Sequence, residues 1–168
     1  MGSGSLGPMA GKFLRIYLQD HLAGSTGGVE LARRAAGANR GTTYGDALSE
    51  LADEIEADRR ALQGIMDELG VAADRAKNLA FWAAEKAGRL KLNGQLTGYS
   101  PLSRLVELEG LISGINGKLS LWRALLQIAP DEPRLDQDRL GRLLERGQQQ
   151  LGTVESLRDR AARDALLS

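Results

Sequence analysis

The chain has 168 residues, 42% of them apolar, with 22 basic side chains balanced by 22 acidic ones. That length buries one core without staples, and the absence of cysteine excludes disulfides, thiolate metal sites and a thiol nucleophile. A formal net charge of zero gives no general pull towards nucleic acid or anionic membranes, and no apolar run approaches the roughly 20 residues that a membrane span needs.

No signal peptide is evident, so a soluble cytoplasmic protein is expected. Met1–Pro8, rich in glycine and serine, reads as linker or vector-derived sequence, with Met9 a natural start and residues 9–168 one domain. The excess of arginine over lysine and the abundance of alanine and leucine fit helix-rich proteins of high-GC bacteria.

The first helical segment runs from about Lys12 to Ala36, with Leu14, Tyr17, His21, Gly24, Gly28, Leu31 and Ala35 on one face. Gly24 and Gly28 form a small-xxx-small pair that would admit a close neighbour. Equally, the glycines of 24–28 could break the helix in two. Gly37–Gly41 reads as a loop. A second segment begins near Thr43, an N-cap with Asp46 three residues on, and ends at Gly70 as C′ residue. Its seam is Leu48, Leu51, Ile55, Asp58, Leu62, Ile65 and Leu69, with Asp58 standing where an aliphatic residue belongs.

A third segment, about Ala72–Leu90, is alanine-rich, and the irregular stretch Gly88–Tyr99 carries the turn signals Asn93-Gly94 and Thr97-Gly98. Ser100-Pro101 then opens the central helix as N-cap and N1, and Ala129-Pro130 closes it. Leu105, Leu108, Ile112, Ile115, Leu119, Trp122, Leu126 and Ala129 make one continuous apolar seam. Turned away from it, Gly110, Gly114, Gly117 and Leu121 repeat by four, three and four, and each glycine of that row costs about 0.8–1 kcal/mol relative to alanine. A second close neighbour on that side is the simplest reason for such a row, which makes this helix the central member of a bundle. The last segment starts at Asp136, with Leu135 and Leu140 placed as a hydrophobic staple and Leu140, Leu143, Leu144, Leu151, Val154 and Leu157 facing inward. Asp138–Arg142 and Asp159–Arg163 are spaced as i,i+4 pairs on its solvated side. The expected fold is all-α, an antiparallel bundle of about five helices.

Few residues carry chemistry. His21, the single histidine, and Asp58 both fall on faces expected to be buried, and an unpaired carboxylate in a core costs several kcal/mol. Asp58 therefore needs a partner, most simply His21 or an arginine, or else a metal or water. His21, Glu54, Asp58 and Glu85 from different helices are raw material for a mononuclear iron, manganese or zinc site. No catalytic constellation is present: G-x-S-x-G is absent, and Gly117-Lys118 lacks both the following Ser/Thr and the first glycine of a phosphate-binding loop. Charge is segregated. Asp46–Leu69 carries a net −6 and Asp74–Arg123 a net +4, which fits packing of one segment against the other. The same distribution lets Lys86, Arg89, Lys91 and Arg104 form an anion or partner surface around the Gly88–Tyr99 loop. Trp82 and Trp122 read as core anchors.

The layout resembles the ferritin-like four-helix architecture. The di-iron signature of that class, Glu-x-x-His on two helices, occurs nowhere, since His21 has Leu18 three residues before it. The stretches Glu85–Gly94 and Tyr99–Glu109 resemble uncharacterised helical-bundle proteins of actinobacterial type, a resemblance that implies no activity. The expected function is non-enzymatic: a binding or scaffold protein acting on a protein partner or on itself through helix faces, as a homo-oligomer. A metal-binding or oxidoreductase bundle around His21 and Asp58 is the alternative.

Overall fold

The computed structural model describes residues 8–73 and 98–167. Among them are four helices and no strand: α1 (Pro8–Ala38), α2 (Gly45–Glu68), α3 (Pro101–Ile128) and α4 (Gln137–Leu166). The expected third segment and most of the Gly88–Tyr99 loop lie outside the described residues, and Trp82 lies there too. No helix of the described residues is long and apolar enough to cross a membrane.

Local sequence sets most helix ends. Ser100 is extended and its hydroxyl accepts from the Ser103 N–H, with Pro101 at N1. Asp136 caps α4 by accepting from the Arg139 N–H, and the staple residues Leu135 and Leu140 are both buried in one cluster. Gly70 (φ +70°) ends α2, with its N–H on the Asp67 carbonyl and the Val71 N–H on that of Met66, the paired bonds of a Schellman motif. The other end of α2 departs from expectation. The N-cap is Tyr44 rather than Thr43, and no side chain caps it. Thr42 instead accepts from the Tyr44 N–H and donates to the Asn39 carbonyl. Position 45 has to be glycine, because a Cβ there would lie 2.6 Å from the Asn39 carbonyl oxygen.

α1 is continuous through Gly24–Gly28 and extends past Gly37. Ser25 and Thr26 donate back to the Leu22 carbonyl, and buried Leu18 on one side and Val29, Ala32 and Ala35 on the other hold both halves to the core. Tertiary burial thus overrides the low propensity of the glycines. The inward face of α1 is rotated from the expected one: Leu14, Tyr17, His21 and Leu31 are only partly buried, whereas Leu18, Val29 and Ala32 are core. The α2 seam is buried at every expected position, Asp58 included.

Two core clusters reveal the topology. One joins the end of α1 to the starts of α2 and α3 and the end of α4. The other joins the start of α1 to the ends of α2 and α3 and the start of α4. α1 therefore runs antiparallel to α2 and to α3, and α3 antiparallel to α4. α1 packs on α2 and α3, and α3 packs on α1 and α4, so α3 does bury two faces. The chain leaves α2 at one end of the bundle, where Gln19 donates to the Ala72 carbonyl and Arg134 to that of Leu69. It returns at the other end, where the Tyr99 hydroxyl accepts from Asn39 and donates to Glu107.

Candidate functional site: a glycine-walled slot above a buried ion network

Asp58 occupies an aliphatic seam position of α2 and is 1% exposed. Its charge is met from two other helices. Lys118 of α3 lies 2.5 Å from Oδ2. From α4, Arg146 donates to Oδ1 through Nε, at 2.9 Å, and through Nη2, and the Gln150 amide donates to Oδ2 at 3.0 Å. Lys118 also donates to the Gln150 side-chain oxygen. Of the two expected partners, an arginine meets the carboxylate, together with Lys118 and Gln150, and no bond to His21 is found among the described residues. Burial holds the Lys118 ammonium below the ordinary lysine range, partly offset by Asp58 beside it. α2 and α4 make little direct backbone contact, so this network is the principal tie across the centre of that pair.

Above the network a slot of about 240 Å³ opens between α1 and α3 and reaches α2. Its mouth is formed by exposed Asp20, Ser113 and Gly114, and its floor by buried Asp58, Leu62, Leu121 and Trp122, with Lys118. The helical glycines stand along its sides: Gly24 and Gly28 on α1 and Gly110, Gly114 and Gly117 on α3. The expected close neighbour is missing at four of them. Among the described residues, a Cβ at Gly24, Gly28, Gly114 or Gly117 would meet nothing within 4 Å, and Gly110 is approached by a Leu31 methyl at 3.0 Å. The tight glycine contact of the bundle is elsewhere, at Gly147 on α4, where a Cβ would lie 2.7 Å from a Leu119 methyl.

His21 and Asp58 line this one slot. His21 is half-buried, stands edge-on to Tyr17 with ring centroids 4.5 Å apart, and is held below the usual histidine range by burial, with Asp20 pulling the other way. Glu54, a turn before Asp58, is exposed. Among the described residues no three His, Asp or Glu side chains converge as a metal would require; Glu85 of the expected metal set lies outside them. So do Lys86, Arg89 and Lys91 of the expected anion surface. Arg104, the fourth member, does not line the slot. It lies over the Tyr44 ring at 4.4 Å and donates to Asn39 at 2.6 Å, in a polar knot where Glu107 accepts from Arg34 and Tyr99. Burial and the Glu107 charge push the Tyr99 phenol well up. At the slot floor, the indole N–H of Trp122 is buried without a partner among the described residues.

Lys118, Arg146 and Gln150 were not singled out as a site by the sequence reading. Gln150 was the available signal: it interrupts the apolar spacing of α4 between Leu143 and Val154, as Asp58 interrupts that of α2. Comparison of the chain with protein-family models, with curated proteins and with solved structures returned no match.

Proposed function

We propose that this chain is a non-enzymatic helical-bundle binding protein whose binding face is the slot between α1 and α3. The observation that carries this reading is that four helical glycines of the slot's lining border empty space among the described residues. Each lowers helix stability by about 0.8–1 kcal/mol relative to alanine, and no neighbouring atom forbids the alanine. Because they carry no side chain, these four positions leave the volume between α1 and α3 unfilled, and an open volume with a polar floor is the usual form of a ligand site. Filling the slot with Gly28→Leu is expected to abolish binding of small amphipathic molecules, followed by ligand-observed NMR, while the helical circular dichroism is unchanged. A wild-type protein that binds none of them would overturn the reading.

A ferritin-like layout is part of the same proposal, supported by two antiparallel hairpins, α1–α2 and α3–α4, whose connection starts and finishes at opposite ends of the bundle. The metal-binding alternative draws support from His21 and Asp58 sharing the slot. Against it, the Asp58 oxygens are engaged by Lys118, Arg146 and Gln150, so a cation would have to displace an ammonium and a guanidinium. Self-association draws on exposed Phe13 and Ile16 near the start of α1 and Leu166 and Leu167 at the end of α4. These are small patches at opposite ends of the bundle, and the slot is the stronger feature.

A further inference from the structure

We propose that the slot takes a small organic acid, one carboxylate on an apolar body of about ten heavy atoms; this inference rests on the slot being a binding site. The size follows from the volume. An apolar cavity of 150 Å³ accepts benzene, so 240 Å³ accommodates about ten heavy atoms. Most of the walls are glycine or aliphatic, from Gly24 and Gly28 to Ile115 and Leu121, and they offer a hydrocarbon body no polar competition.

The charge follows from the floor. Asp58 brings one negative charge to two positive ones, Lys118 and Arg146, and Gln150 is neutral. Arg59 also lines the slot but is paired with Glu56 at 2.9 Å. Of Lys118 and Arg146, only Lys118 lines the slot; Arg146 meets Asp58 from outside it, with its side chain 37% exposed. Asp58 is shared between them, and Glu54 also acts on Lys118. The largely buried ammonium is therefore what the floor offers an incoming anion. Donors are in surplus. The Lys118 ammonium has three N–H groups, of which two are directed to Asp58 and Gln150. The Trp122 indole N–H, one turn further along α3 in the same lining, has no acceptor among the described residues, and a buried donor left unpaired is unfavourable. A carboxylate supplies acceptors to both and carries the charge complementary to the ammonium, which a hydroxyl or carbonyl oxygen does not.

Octanoate, 1-octanol and octylamine share one apolar chain and differ in the head group, so they separate the two layers of the argument. Binding is followed by calorimetry and by Trp122 fluorescence in the full chain carrying Trp82→Phe. Octanoate is expected to bind at least about tenfold more tightly than octanol, the range of one charge-assisted hydrogen bond, and octylamine more weakly than either. Lys118→Met is expected to bring octanoate down to the level of octanol while leaving octanol binding intact, which also reports that the variant is folded. Octanol binding as tightly as octanoate to the wild type would overturn the acid and leave the slot as a binding site. No response to any of the three would overturn both.

Discussion

The two sides of α3 use glycine for opposite ends. Towards α4, Gly147 receives the side chain of Leu119 so closely that a Cβ would stand 2.7 Å from its methyl group; here the missing side chain is what lets two helices interlock. Towards α1, Gly114 and Gly117 share a slot with Gly24 and Gly28, and among the described residues a Cβ at any of them would touch nothing within 4 Å. Small residues at helical spacing thus mark either the closest contact in a bundle or the place where contact is withheld. What separates the two is whether the facing helix presents a large side chain or another row of small ones.

The largest effect should come from the network under the slot. Asp58→Ala leaves the largely buried Lys118 and the part-exposed Arg146 without their shared anion. Removal of one partner of a fully buried ion pair costs about 3–5 kcal/mol, and solvent at Arg146 brings the expected loss to the lower end of that range. Urea unfolding measures this, and a loss under about 1 kcal/mol would mean that water replaces the carboxylate readily. Next in size is Gly147→Ala. Overpacking of a filled site costs about 1–3 kcal/mol, because Leu119 is itself buried and has little room to turn. The mirror experiment is Gly28→Ala or Gly114→Ala. Each should raise stability by about 0.5–1 kcal/mol, since the helix gains propensity and nothing obstructs the methyl. Destabilisation at those positions would erase the contrast between the two sides of α3.

The smallest effect concerns pH. Burial depresses the folded pKa of His21 below its unfolded value of 6.5. Its stability contribution is therefore present above pH 6.5 and is lost as pH falls from there through the folded pKa. It is the only histidine in the chain, while Glu56 and Glu132, also depressed by their arginine partners, act below their ordinary 4.5. Wild-type protein should lose stability as pH falls below 6.5, and His21→Gln should flatten that slope. An identical slope in both would place His21 in an environment that solvates the imidazolium.

Much of the fold was legible before any coordinates. The α2 seam, the Ser100 and Asp136 caps, the Gly70 terminus and the Leu135–Leu140 staple depend on contacts within a few residues of sequence. Other features had competing solutions that local sequence ranks equally. Thr43 looked like the N-cap because it precedes an acidic first turn, but Thr42 took the local hydrogen bonds and Tyr44 turned its hydroxyl to Asp164 on α4 at 2.6 Å. Gly24–Gly28 was compatible with a broken helix until burial on both sides decided for a continuous one. Asp159 was spaced for Arg163 but pairs with its neighbour Arg158 at 3.2 Å, as exposed charges are free to do.

The sequence by itself determined that this chain is helical, where most of its helices start and stop, and that Asp58 must find a partner, because hydrophobic period, capping and desolvation are all written in residue type and spacing. Only the tertiary structure decided that the partners are Lys118, Arg146 and Gln150, and that the glycine rows of α1 and α3 share one slot. Both depend on the register of one helix against another. That register is set by packing over the whole bundle, and no local stretch encodes it.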